Sequence, residues 1–409
     1  MGAGASSCTQ LDQFSNGCEI HKCAIGIKGL ESNSSSPSDT WILKLENSKY
    51  EDKVIDNVFV KYFIEPDTLV EPDRKTQMLK NVTHGLKYEL YIYKDIIRPL
   101  IDTRICPNFI KYLGSGEMCE FSSLQKILSD AVIRTPEATF PRWNEPVKMA
   151  NDLLERNLLY MANGLKNRPS IANTRPAKSE LLKSYPKMFY KEIDPRWRYN
   201  FIINEQITKY TKTFDNFTRT IIKFDEYALS LIIQVVYACH CLSETRTNHN
   251  DLHMGNIFVA KLTRPIILTY RLDDFEISFT TNYHVVLYDF DLAYSETLGE
   301  NPYINEDSSR TNEFVENKDL WKFVFQLYKY TGLGDLALSL LSDNTRKKRA
   351  LRKYFDDEDA FFGLYKNKII EKKIMDKYKS PKDCLKFFKN IYDINDKKYI
   401  PEPQYIFGK

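Results

Sequence analysis

The sequence predicts an α+β chain in which a small antiparallel sheet with one helix precedes a larger, mainly helical part. Short β-favouring runs alternate with polar turns between Glu19 and Ile64. Long apolar runs of helical length follow, from Phe224 to Leu242 and from Asp319 to Tyr330. The composition is globular: 43% hydrophobic and 28% charged, with 26 Tyr and 24 Phe to fill a core in 409 residues.

Taken in order, the strand-like runs are Glu19 to Ile25, Thr40 to Glu46 and Asn57 to Ile64, with a serine-rich loop from Ser32 to Asp39. A helical run from Lys75 to Ile97 and a strand over Cys106 to Gly114 come next. Prolines at Pro136, Pro141, Pro146, Pro169, Pro176, Pro186 and Pro195 then break the region 119–200. It is expected to be an insertion, with one amphipathic helix over Val147 to Leu165. Phe201 to Ile207 reads as a buried strand running into polar residues. The run from Phe224 to Leu242 is apolar on nearly every face, but Asp225, Glu226, Gln234 and His240 interrupt it, so a buried helix is expected rather than a membrane span. The expected organisation is a leader (1–18), a small sheet part (19–118), the insertion (119–200) and a helical part (201–409).

Lys plus Arg at 58 against Asp plus Glu at 55 gives +3, too near balance to imply a nucleic-acid partner. Eight cysteines show no disulfide framework and no secretory signal precedes them, so a reducing compartment is expected. Cys18, His21 and Cys23 form at most half a zinc site, with no second pair at matching spacing.

Two stretches carry chemistry. His249-Asn250-Asp251-Leu252-His253-Met254-Gly255-Asn256 places a carboxylate behind an apolar run and an amide five residues later. Leu287-Tyr288-Asp289-Phe290-Asp291 places a second carboxylate downstream. A hydroxyl attacking a γ-phosphate needs a carboxylate to orient it and accept its proton, and the phosphates need metal ions held by hard oxygens. Asp251 suits the first role; Asn256 and Asp289 suit the second.

The ordered pair resembles the protein-kinase superfamily, whose catalytic loop reads His-Arg-Asp-x-x-x-x-Asn and whose metal motif reads Asp-Phe-Gly. That resemblance implies a two-lobed fold, ATP with Mg2+ or Mn2+ as cofactors, and transfer to Ser or Thr of a protein substrate. It also implies Lys61 on the α- and β-phosphates, Glu89 as its partner, and a hinge near Glu205 whose backbone holds adenine. His249 and Asp319 would support the catalytic loop. Gly26 and Gly29 would stand for a phosphate-covering turn, which is degenerate here. Asn250 replaces the arginine that receives an activation-loop phosphate, so control by that route is not expected. His253 stands where protein kinases carry lysine, and Asp291 where the metal motif has glycine. These departures resemble haspin-type kinases, kinases of large DNA viruses, and small-molecule phosphotransferases of the choline and aminoglycoside kind. A catalytically inactive, membrane-tethered scaffold is the remaining alternative. No Ala-Pro-Glu motif follows Asp291, and Gly299 to Asn317 reads as an abbreviated, mobile activation segment.

Met1-Gly2-Ala3-Gly4-Ala5-Ser6 fits N-myristoylation at Gly2. One such chain binds membranes only marginally, so a second signal is expected. Cys8 is a palmitoylation candidate, and the cluster Arg346-Lys347-Lys348-Arg349 with Arg352 and Lys353 could face anionic lipid. The expected location is the cytoplasmic face of membranes, in a host cell or a virion if the chain is viral.

Overall fold

The computed structural model describes residues 24–29, 39–45, 49–50, 53–65, 87–120, 198–206, 211–220, 226–302, 304, 311–358, 361, 374–395 and 404–408. Gly2, Cys8, the Cys18 cluster and nearly all of the expected insertion lie outside these residues. The architecture is α+β, with a smaller sheet unit and a larger unit that carries most of the helices among the described residues. The smaller unit comprises residues 1–86 and 112–206, and the larger comprises 87–111 and 207–409.

The smaller unit is built on a five-stranded sheet of β1 (Ala24–Gly29), β2 (Asp39–Leu45), β5 (Asn57–Glu65), β6 (Tyr112–Glu120) and β7 (Arg198–Glu205). Its order is β1-β2-β5-β7-β6, and every neighbouring pair is antiparallel. A two-residue hairpin, β3 (Lys49–Tyr50) with β4 (Lys53–Val54), sits between β2 and β5 in sequence. Leu43, Val58, Val60, Ile202 and Ile203 are fully buried, while β5 alone combines an apolar run with the buried amine of Lys61.

The larger unit begins with helix α1, residues 87–102, which contains a π-helical stretch at Ile92–Ile97 before the α-helical turn Arg98–Asp102. The wide stretch lies directly before Pro99, whose ring cannot sit against the carbonyl four residues back in a regular helix. The strand expected over Cys106 to Gly114 starts instead at Tyr112, because 106–110 is committed to the larger unit. There Asn108 is fully buried; its amide donates to Gln234 Oε1 (3.2 Å) and the Val285 carbonyl (2.9 Å), and it accepts from Tyr270 Oη (2.8 Å).

Strand β8 (Thr211–Thr213) and helix α2 (Phe214–Thr220) lead to α3 (Glu226–Glu244). Helix α3 is buried along Leu231 to Leu242 because a long hairpin flanks it on one side. After the short β9 (Thr247–Asn248), β10 (Ile257–Leu272) and β11 (Phe275–Leu287) form that hairpin, turning at Asp273 and Asp274. The two strands pair from Leu272 and Phe275 at the turn back to Ile257 and Leu287, with one register shift between Lys261 and Ile266. Strand β12 (Tyr294–Ser295) pairs with β9. Helices α4 (Lys318–Tyr330), α5 (Gly334–Leu341), α6 (Thr345–Asp356) and α7 (Pro381–Asn395) follow, and β13 (Gln404–Gly408) joins β10 in parallel. No helix among the described residues is long and apolar enough to cross a membrane.

Asn108→Ala strands the carbonyl of Val285 and the hydroxyl of Tyr270 in the core. It is expected to lower the unfolding free energy by about 3 kcal/mol, read as a lower midpoint in urea unfolding.

Candidate active site

The loop carrying Asp251 is held at both ends. Before it, β9 pairs with β12, and Asn248 exchanges hydrogen bonds with Val315, donating to its carbonyl (2.9 Å) and accepting from its amide (2.7 Å). After it, β10 begins at Ile257 and runs into the core.

Between these ends, one face of α4 grips the loop backbone. Asp319 accepts from the amides of His249 (2.7 Å) and Asn250 (2.9 Å), one on each carboxylate oxygen. Lys322 donates to Asp251 Oδ1 (2.6 Å) and, more weakly, to the Asn250 carbonyl (3.4 Å). Gln326 accepts from the Met254 amide (2.7 Å) and donates to the Leu252 carbonyl (3.2 Å). Spacings of three and four put 319, 322 and 326 on one helical stripe. Asn250 is therefore fixed with φ at +61°, a left-handed conformation that asparagine tolerates better than most residues.

Within the loop, Asn256 donates its amide to the Asp251 carbonyl (3.1 Å), which leaves Oδ1 as the hard oxygen on its other arm. The ring of His253 closes the short turn Met254–Asn256, with Nδ1 accepting from the Gly255 amide (3.0 Å). Gly255 is required here, since a Cβ would lie 2.8 Å from His253 Cε1. With Nδ1 accepting, the hydrogen sits on Nε2, which lies 3.7 Å from Asp251 Oδ2. Burial lowers the His253 pKa, against the raising effect of Asp251, so the ring is neutral at pH 7.

The second stretch lies beside this loop. Tyr288 donates its amide to the Asn256 carbonyl (3.2 Å) and its hydroxyl to the Gly255 carbonyl (2.8 Å), while His249 Nε2 donates to the Tyr288 carbonyl (2.9 Å). Asp289, next in sequence, has φ at +69°. Helix α1 holds it there, because Tyr93 Oη accepts from the Asp289 amide (3.1 Å) and Glu89 Oε1 from the Phe290 amide (3.2 Å). Phe290 is fully buried against Tyr93 and His249. Tyr88 completes the row, accepting from the Ser295 amide (2.8 Å) and donating to the Gly299 carbonyl (2.7 Å). Burial pushes its phenol up to about 12, so it stays a donor.

Asp251, Asn256, Asp289, Glu89, His249 and Asp319 thus meet in the larger unit. Lys61, Gly26, Gly29 and Glu205 belong to the smaller one. Gly26 and Gly29 lie within strand β1 rather than in a turn, and Gly29 is its last residue. Glu205 ends β7 with an exposed side chain, and Lys61 is 7% exposed. The described ends of the expected mobile segment are anchored. Asn301 is fully buried and donates to the carbonyls of Asp291 (3.0 Å) and Ala293 (2.7 Å), and Thr311 accepts the Asn250 amide on its carbonyl (3.1 Å). Sequence reasoning missed Lys322, Gln326, Tyr88 and Tyr93. For the first two a signal existed, in their helical spacing from Asp319.

No protein-family model matches the chain, and no curated protein does. Among solved structures it is similar to "WaaP in complex with acyl carrier protein", at 13% identity over 87% of this chain and 91% of that one, with a TM-score of 0.33. It is also similar to a crystal structure of a kinase domain, at 11% identity over 88% of this chain and 92% of that one, with a TM-score of 0.34. Likenesses this loose carry no functional argument.

Asp319→Ala orphans two buried loop amides, so it is expected to cost about 3 kcal/mol of stability. Hydrogen exchange at the His249 and Asn250 amides should accelerate with it.

Proposed function

We propose that this chain is an ATP-dependent phosphotransferase that transfers the γ-phosphoryl group to a Ser or Thr hydroxyl of a protein. The observation that supports this reading is the convergence of Asp251, Asn256 and Asp289: Lys322 of α4 holds the Asp251 carboxylate, Asn256 bonds the Asp251 carbonyl, and Tyr93 of α1 holds the Asp289 amide. Asp251 is the group that orients the acceptor hydroxyl and takes its proton. Asn256 Oδ1 and the Asp289 carboxylate are two hard oxygens, a donor set suited to Mg2+, which binds through one or two protein ligands and completes its shell with phosphate and water. When bound, Mg2+ would neutralise charge on the phosphates. Lys61 keeps its assignment to the nucleotide on sequence grounds.

The second part of the proposal is attachment to an anionic membrane, through an acylated Gly2 and the surface of α6. Arg346, Arg349 and Lys353 are exposed and share one helical stripe, whereas Arg352 is paired with Asp335 (3.0 Å). Each cation near such a surface contributes about 1 kcal/mol.

With Mg-ATP and an acceptor protein, Asp251→Asn is expected to lower the transfer rate by roughly 10²- to 10⁴-fold. Transfer unchanged by that substitution would point to an inactive scaffold. ADP release stimulated by choline, an aminoglycoside or a sugar, but not by protein, would move the acceptor to the small-molecule class. Reversing Arg346, Arg349 and Lys353 to Glu in the myristoylated chain is expected to weaken sedimentation with phosphatidylserine vesicles by at least about 100-fold, with no change on neutral vesicles.

A further inference from the structure

The proposed proton acceptor is itself held by a cation from outside its own loop. Lys322 Nζ lies 2.6 Å from Asp251 Oδ1, a short charge-assisted hydrogen bond, and the two side chains are only 18% and 19% exposed, so water screens it little. The second Lys322 contact, to the Asn250 carbonyl, ties the ammonium to the loop backbone as well as to the carboxylate. Its stem leaves α4 between Asp319 and Gln326, both already bonded to the loop, so the amine cannot drift without moving those partners. Within the loop, the basic side chain facing Asp251 is His253, which is neutral and has Nδ1 committed to Gly255. The fixed positive charge at Asp251 Oδ1 therefore comes from α4.

We propose that Lys322 is a positioning residue for the phosphoryl-transfer step: it clamps Asp251 Oδ1 and sets the carboxylate plane so that Oδ2, beside His253, receives the proton of the acceptor hydroxyl. The step balances within the reading above. The hydroxyl oxygen bonds to the γ-phosphorus, the bond to the β,γ-bridging oxygen breaks with its electron pair leaving on ADP, and the proton passes to Oδ2. This inference rests on the phosphotransferase reading, and its test separates the two.

The test is a double-mutant cycle on the full chain with Lys322→Met, Lys322→Arg and Asp251→Asn, read by steady-state transfer and by urea unfolding. Misplacing a reacting group costs roughly 10²-fold. Lys322→Met is thus expected to lower kcat by about that factor with the KM for ATP unchanged, and Lys322→Arg to recover most of it. In the Asp251→Asn background Lys322→Met should cost no further activity, because the group it positions is gone. The same pair should be non-additive in its unfolding midpoints, which reports the contact whether or not the chain turns over ATP. Equal kcat losses from Lys322→Met in both backgrounds, or a loss confined to KM, would overturn the positioning role. Non-additive unfolding together with no ADP release from the unmodified chain would instead sink the phosphotransferase reading while upholding the clamp.

Discussion

A single stripe of α4 holds the loop on which the proposed chemistry of this chain depends. Asp319, Lys322 and Gln326 follow one another at helical spacing, and together they bond five backbone groups between His249 and Met254. A loop of this length has no internal ladder to hold it, and buried amides without acceptors are costly. The helix supplies those acceptors. Because α4 is anchored by the fully buried Trp321, Phe323 and Leu327 on its other faces, the loop inherits the rigidity of the hydrophobic core.

That rigidity allows two unfavourable backbone conformations to persist. Asn250 and Asp289 both lie in the left-handed region, which costs on the order of 1–3 kcal/mol per residue when the surroundings do not impose it. Each flanks a proposed chemical group or is one. The first is imposed by Asp319 and by the Thr311 carbonyl, the second by Tyr93 and by the burial of Phe290 beside it. Strain in the two loops is thus offset by contacts from α4, α1 and the segment ahead of α4.

The α+β class was legible in the sequence because β-favouring runs and long apolar runs separate cleanly along the chain, and α3 was recognisable as a buried helix because its long apolar run is interrupted by polar residues such as Gln234 and His240. That Asp251, Asn256 and Asp289 would lie together was legible because the proposed proton and metal chemistry tolerates few residue types at such spacing. Lys322 and Gln326 were not, since a lysine and a glutamine on an amphipathic helix ordinarily face water, and only the packing of α4 turns them inward. Tyr88 and Tyr93 were hidden for the converse reason: tyrosines on a helix read as core filler, whereas here their hydroxyls bond backbone amides some two hundred positions away. The start of β6 was misread because the apolar run Phe109-Ile110 continues into Tyr112 and Leu113 like one strand, whereas Asn108 ahead of it knots α3 and both hairpin strands together.

The widened coil in α1 has a consequence for how this chain can change by insertion and deletion. A π stretch accommodates one residue more than a tight helix over the same rise. Removing a residue between Ile92 and Ile97 would let the coil rewind. The rewound helix would cover the same rise with one residue fewer, so the faces upstream keep their direction relative to the anchored end at Leu100. Tyr88 and Glu89 would stay beside the amides of Ser295 and Phe290. A deletion between Glu89 and Ile92 would instead turn both side chains by about 100° away from those amides, so the coil is the one place in α1 where a lost residue can be absorbed.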